Sequence, residues 1–180
     1  MLPHINVKGL LGASFGRRAG YMDAYGVLQG YQRKAKSLGA EYIQAEVVEI
    51  LRQKDRVHGV RTSKGEVLEG ASVAIAAGPW AAEVGAMAGV ELPVEPTLRM
   101  AFCFDPAEKF DYDLPFTFHP QGQWFRHESG KQVVTGKDRN ETPGFRFDWD
   151  RQYFEEELWP QTAGYGFQRD DGFHQAVRID

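Results

Sequence analysis

Cysteine is nearly absent: Cys103 is the only one in 180 residues. That excludes a disulfide framework within the chain and a zinc site built on paired cysteines. Long hydrophobic runs are also missing, and none approaches the ~20 residues that cross a bilayer as a helix. Residues 1–9 lack the apolar core and small-residue cleavage site of a secretory leader. Charge of one sign is scarce too, with 21 Lys+Arg against 25 Asp+Glu, a net charge of −4 and a pI of about 5.8. Such a balance gives no electrostatic pull toward nucleic acid or an anionic membrane. The expectation is a cytoplasmic protein with no transmembrane segment and no nucleic-acid partner.

Familiar site motifs are lacking as well. Gly9, Gly12, Gly16 and Gly20 do not form a G-x-G-x-x-G run after a strand, and Gly130-Lys131 is followed by Gln132, so no Walker lysine loop exists. No H-E-x-x-H occurs among His4, His58, His119, His127 and His174. His119 and His127 fall on neighbouring expected strands, but a pair without a third ligand reads as two surface or half-buried histidines. Gly12 to Gly16 is not a serine-hydrolase elbow, because no strand precedes it. Asn140-Glu141-Thr142 has the form of a glycosylation sequon, read here as chance.

Hydrophobic residues are 42% and charged residues 26%, an ordinary globular composition. Asp23 is placed to cap a helix over 24–38, with Ala24, Val27, Leu28, Tyr31, Ala35 and Leu38 on one face. Lys34 and Lys36 suit its C-terminal end, and Gly39 suits a left-handed stop. Residues 41–44, 47–52, 56–62 and 66–69 read as short strands, the last three forming an antiparallel meander with turns at 54–55 and 63–65. Residues 73–77 form a continuous apolar run, as in a strand covered on both faces. A short helix over 81–88 follows.

Leu92-Pro93-Val94-Glu95-Pro96 is a stiff extended crossing and the expected domain boundary. Beyond it, strands are expected at 97–104, 116–119, 123–127 and 132–136, with turns at 120–122 and 129–130. A short helix is expected within 150–158. Residues 161–180 show no clear period. The fold class is α/β (α+β), with domains at 1–92 and 93–160 and an atypical tail at 161–180.

The segment 73–80 bears most on chemistry. An apolar strand breaks at Gly78, and Pro79 opens a helix, where its missing N–H costs nothing. Glycine admits a ligand close to the backbone, and a helix start favours phosphate. Ala77, Gly78 and Trp80 therefore read as a plausible wall of a dinucleotide site, although short glycine motifs are unspecific and by itself the segment reads more readily as a tight strand-to-helix turn with no ligand. Arg99 and Arg126, on expected strands, are candidates to hold a substrate carboxylate by two-pronged hydrogen bonds, or else solvated strand arginines.

These segments, in order, resemble the D-amino-acid-oxidase and sarcosine-oxidase (DAO) superfamily of FAD-dependent oxidoreductases. The carriers are Gly20-Tyr21-Met22-Asp23 before the helix, Gly39-Ala40, Val47-x-x-Ile50, Val57-x-Gly59-Val60-x-Thr62-x-x-Gly65 and Ala76-Ala77-Gly78-Pro79-Trp80. The crossing at 92–96, Gly122-Gln123-Trp124-Phe125-Arg126 and Leu158-Trp159-Pro160 narrow the resemblance to the branch with a FAD-dependent oxidoreductase-domain protein of respiratory complex I assembly. It covers residues 3–160.

The resemblance implies a partial FAD-binding Rossmann-like domain and a substrate domain on a mixed or antiparallel sheet. It implies FAD as cofactor and oxidation of a C–N bond in a small amine or amino-acid substrate. Val47 is implied at the adenine end of FAD, with Ala77, Gly78 and Trp80 along the cofactor and the sheet at 97–136 over the flavin's substrate face. Measured against the family, the sequence reads as a central fragment without the N-terminal Gly-rich unit and the C-terminal closing segment, from a truncated or frame-shifted gene. A partner chain supplying the FAD-binding unit fits that reading, as do two non-enzymatic alternatives: an interaction or assembly protein, and a non-functional product.

Overall fold

The computed structural model describes residues 5–128 and 132–178, with residues 170–178 described as backbone. It divides into two compact units: residues 22–97, and residues 1–21 with 98–180. The expected turn at 129–130 and His4 lie outside the described residues.

In the first of these units, α1 spans Ala24–Ser37. Lys34 and Lys36 sit in its last turn, and Gly39 follows at φ 92°, a left-handed value that glycine adopts without strain. Asp23 holds the N-cap position, but its side chain makes no capping hydrogen bond. The apolar face expected from the 3.6-residue period is present yet uncovered: Leu28 is 60% and Tyr31 75% exposed.

The meander forms as expected. Strands β1 (Val47–Gln53), β2 (Arg56–Thr62) and β3 (Val67–Glu69) pair antiparallel in the order β1-β2-β3. Lys54, at φ 55°, makes the tight turn between β1 and β2. Two expected strands do not form. Residues 41–44 and 73–77 lie outside any ladder among the described residues. Alternation and apolar character measure a segment's capacity for burial, whereas a strand also needs a neighbour to take its N–H and C=O groups. No described strand supplies one for the run at 73–77. A 3₁₀ turn, Gly78–Trp80, then leads into α2 (Ala81–Met87). The Arg52 guanidinium donates to the Ala88 carbonyl and ties β1 to the end of α2.

The other unit is built on a five-stranded antiparallel sheet in the order β5-β6-β7-β4-β8. Its strands are β4 (Met100–Pro106), β5 (Thr117–Phe118), β6 (Gln123–His127), β7 (Val133–Lys137) and β8 (Arg169–Arg178). Helical cover comes from α3 (Arg151–Tyr153), a π turn (Phe154–Leu158) and α4 (Trp159–Gly164) in unbroken succession. The Asp150 carboxylate caps its start by accepting from the Tyr153 N–H at 3.0 Å. Pro160 has no N–H to give, and the regular ladder relaxes just before it into the wider π turn. Residues past 160, patternless in sequence, thus complete α4 and supply β8, which pairs with β4 from Met100↔Arg178 to Pro106↔Arg169.

One face of this sheet packs under the helices. Phe102 stacks on Phe154 at 4.9 Å, with Tyr153 and Leu158 beside them. Phe104, Phe125, Val133, Leu114, Tyr165 and Phe167 form the adjoining cluster. A buried polar link crosses this apolar layer. The Gln123 amide donates to the Thr135 hydroxyl at 3.1 Å and to the Thr162 hydroxyl at 2.5 Å, while Thr162 donates to the Leu158 carbonyl at 2.9 Å.

Removing one member of a buried polar link leaves its partners desolvated and unpaired, which costs about 1–3 kcal/mol. Thr162→Val is therefore expected to lower the urea midpoint by a stability loss of about that size. An unchanged midpoint would show that the link contributes nothing.

Candidate functional site

The unit of residues 22–97 carries the expected cofactor-binding residues. Val47 opens β1 and pairs with Thr62, with a register irregularity before Glu49. Ala77 closes the extended run, and its carbonyl accepts from the Trp80 N–H at 3.0 Å, forming the 3₁₀ turn. Gly78 sits at φ 52°, and no heavy atom lies within 4 Å of where a Cβ would stand. Its backbone is therefore open to a close approach, and Trp80 beside it is 42% exposed. This turn fits one edge of a dinucleotide such as FAD. The chain contains no Gly-x-Gly-x-x-Gly loop for the pyrophosphate, so the fit extends to that edge alone.

The sheet of the other unit carries both candidate arginines, and strand alternation puts them on one face. Even-numbered Phe102 and Phe104 point to the helices, so odd-numbered Ala101 and Cys103 point away. Register carries that second face across the sheet: Ala101↔Gly136↔Trp124, then Cys103↔Val134↔Arg126. Phe118 pairs with Trp124 and extends the face onto β5. Arg99 precedes Ala101 by two residues and lies on the same face. It is two rows from Arg126, about 13 Å along the strands at ~3.4 Å per residue.

A glycine shapes this face. A Cβ on Gly136 would fall 2.6 Å from Cζ2 of Trp124 and 3.0 Å from the Met100 carbonyl oxygen. The indole therefore lies flat across β7 only because residue 136 has no side chain. Phe116 meets Trp124 edge-on at 5.4 Å and stacks on Phe118 at 4.6 Å. Tyr21 meets Phe116 edge-on at 6.5 Å, and the Arg126 guanidinium lies 4.9 Å over the Tyr21 ring.

Each arginine is matched by a carboxylate. Arg126 pairs with Glu128 at 2.7 Å and donates to the His127 carbonyl at 2.8 Å. Arg99 pairs with Asp138 at 3.3 Å and donates to the Leu98 carbonyl at 3.1 Å. Cys103, buried beneath this face, has its thiol pushed up to about 11. Burial is the main cause, Glu128 and then Asp105 add to it, and Arg126 opposes it.

His119 and His127 each have partners of their own, and His127 is buried rather than at the surface. The His119 ring lies against Tyr165 at 4.3 Å, with burial and then Lys137 holding its pKa below the ordinary value. His127 Nδ1 accepts from the Leu114 N–H at 2.8 Å. Among the described residues, no group of three or more His, Cys, Asp or Glu side chains is arranged to hold a metal. No helix among them is long and apolar enough to cross a membrane. Sequence reasoning missed Phe116, Phe118, Glu128 and the role of Gly136. The available signal was Trp124-x-Arg126-x-Glu128, a period-2 pattern that puts an aromatic, a cation and an anion on one strand face.

The L-proline dehydrogenase structure from P. horikoshii superposes with a TM-score of 0.80 at 21% identity, covering 93% of this chain and 47% of that one. The sequence profile of the DAO family, described as FAD dependent oxidoreductase, matches residues 1–165, and the chain belongs to that family. It is 27% identical to FAD-dependent oxidoreductase domain-containing protein 1 of Bos taurus, over 89% of this chain and 40% of the relative. It is 36% identical to the sarcosine oxidase subunit beta of Rhizobium meliloti (strain 1021), over 61% of this chain and 27% of the relative. The chain thus spans about two fifths of the bovine relative's length.

A buried thiol with a raised pKa is a poor nucleophile, because the thiolate is the reactive form. Cys103 is expected to react slowly with a thiol reagent at pH 8 in the native chain and quickly in urea. Its raised folded pKa also makes a stability contribution that is full below the unfolded value and lost as pH rises toward about 11. Between pH 9 and 11 the wild-type urea midpoint should therefore fall more than that of Cys103→Ala. Parallel curves would refute the assignment.

Proposed function

We propose that the chain acts in FAD-dependent oxidation of a C–N bond in an amino acid or a secondary or tertiary amine. The observation carrying this reading is the DAO-family match over residues 1–165, with sarcosine and glycine oxidases among the relatives. Bound FAD supplies a two-electron acceptor for hydride. Loss of an α-hydrogen with its electron pair would leave an iminium, which a primary or secondary amine would convert to an imine by releasing its N–H proton to water, and either product would be hydrolysed.

In this reading the FAD-binding role falls within residues 1–92, and the substrate sheet within 93–160. Val47, Ala77, Gly78 and Trp80 would hold one edge of FAD. Their contribution is backbone approach at Gly78 and apolar contact at Trp80, not charge. Arg126 and Arg99 orient groups on the substrate through the second face of the sheet. The lone unpaired Cys103 favours a reducing, cytoplasmic compartment.

A second reading is a non-catalytic interaction or assembly protein. The uncovered face of α1 and the unpaired run at 73–77 favour it, since both need a neighbour to bury them. A partner chain supplying a further FAD-binding unit would satisfy both readings.

The test is the visible spectrum of the purified chain after incubation with FAD and removal of the excess. A retained flavin band is expected, together with its loss in Gly78→Val, which strains a left-handed residue and fills the open approach. Circular dichroism should show the variant still folded. A wild-type chain with no flavin band overturns the unaided cofactor role and favours the interaction reading.

A further inference from the structure

The tie between β1 and α2 joins the two stretches that carry the cofactor candidates, since Val47 opens β1 and Gly78–Trp80 leads into α2. Helix α2 ends in a paired glycine stop. The Val90 N–H donates to the Gly85 carbonyl at 3.0 Å and the Gly89 N–H to the Ala86 carbonyl at 2.9 Å, with Gly89 at φ 70°. That stop leaves the Ala88 carbonyl beyond the reach of intrahelical donors. The Arg52 guanidinium donates to it instead. Gly89 makes the room, because a Cβ there would fall 2.5 Å from Nη1 of Arg52. A bulge helps to aim the arginine. Leu51 pairs with Gly59 but Arg52 with Val57, so His58 is an extra residue on β2. Such a bulge breaks strand alternation and re-aims the side chains beside it. Accordingly Ile50 and Leu51 are both buried, and Arg52 emerges to the surface after them.

The glycines around α2 differ in what fills the space beside them. At Gly85 a Cβ would stand 2.9 Å from Leu92 Cδ1 and from the Val90 carbonyl oxygen, and at Gly89 Arg52 takes the space. At Gly78 no heavy atom lies within 4 Å. The far end of α2 is thus seated by protein atoms, while the turn before it stays open. We propose that Arg52 is a positioning residue for the cofactor edge: by holding the end of α2 to β1, it fixes where the Gly78–Trp80 turn stands relative to Val47. The inference rests on the FAD-binding reading of those residues. A helix of seven residues is a short rod, so a shift at Ala88 carries through to the turn that precedes it. A ligand anchored at both stretches loses affinity when their spacing varies, because binding must then restore it. A ligand anchored at one stretch does not. Arg52 itself touches no cofactor in this arrangement; it acts through α2.

The test is titration of the purified chain with FAD, read by flavin fluorescence, and with adenosine monophosphate, read by calorimetry. Arg52→Ala is expected to weaken FAD by about three- to tenfold, the range one hydrogen bond carries. Adenosine monophosphate, placed at Val47 alone, should separate the two chains by less than about twofold. Gly89→Ala keeps the cation but drives it off the Ala88 carbonyl, and it should weaken FAD as Arg52→Ala does. A mere loss of attraction between the guanidinium and the phosphates would spare Gly89→Ala and would weaken both nucleotides in Arg52→Ala. Circular dichroism under the titration conditions should show both variants folded, so that weakened FAD is not partial unfolding. Unchanged FAD affinity in either folded variant, or equal weakening of FAD and adenosine monophosphate, would overturn the proposal. The wild type separates this result from the parent reading. A wild type that binds FAD no better than its variants sinks the positioning role alone, and a wild type that binds no FAD sinks the cofactor reading and this role with it.

Discussion

Strand β4 is the constraint on which the larger unit depends. It is paired along both edges, by β7 and by β8, so neither side is left for solvent. Its side chains then have only the two faces to occupy, and the sequence assigns them by size. Phe102 and Phe104 fill the helix side, while Ala101 and Cys103 leave the other side low. A one-residue slip of register would exchange the two sets and drive both phenylalanines into the surface that Trp124 occupies. The same periodicity therefore fixes the core and makes room for the aromatic face. Gly136 opposite Ala101 extends that low floor, and the indole lies across it.

The ion pairs on that face contribute little to stability. Half-exposed pairs such as Arg126–Glu128 and Arg99–Asp138 are worth ~0–1 kcal/mol each, because water screens them and long side chains lose freedom in forming them. Their larger effect is on the field a ligand meets. An unpaired guanidinium beside an aromatic wall draws carboxylates strongly, whereas one matched by a carboxylate draws them less. The helix-side link through Gln123, Thr135 and Thr162 is the opposite case. It is buried, so its loss affects stability and not recognition.

Elements whose partners are close in sequence were legible in it. The β1–β2–β3 meander, its turn at Lys54, the glycine stop after α1 and the bounds of β6 all follow from local spacing. Elements that depend on distant partners were not. The run at 73–77 has the composition of a buried strand, but composition does not name a neighbour, and the described residues provide none. Residues 169–178 form β8 without a clear period because pairing with β4 is settled by backbone hydrogen bonds over a long sequence separation. The site shows the same division. Gly78 was visible as the glycine that ends the apolar run, and Arg126 as a strand arginine. The carboxylate matching Arg126 stood two residues on in sequence, but its meaning depended on the face that register gave it.

The two units differ in how far their own residues can bury them. Nearly the whole buried apolar core belongs to the sheet unit, including Phe102, Phe104, Phe154 and Phe167, with partly buried Trp159 packed against them. In residues 22–97 the buried apolar side chains are Ile50 and Leu51, while Tyr25, Leu28, Tyr31 and Leu38 stay exposed. Local stability follows buried apolar contact, so the smaller unit sits at the low end and opens more readily. Anything that binds its folded form, whether a dinucleotide at Gly78 or a protein surface over α1, stabilises it by mass action. The residues that carry the family resemblance in 22–97 are therefore those whose order responds most to occupancy. The sheet unit has a buried core of its own.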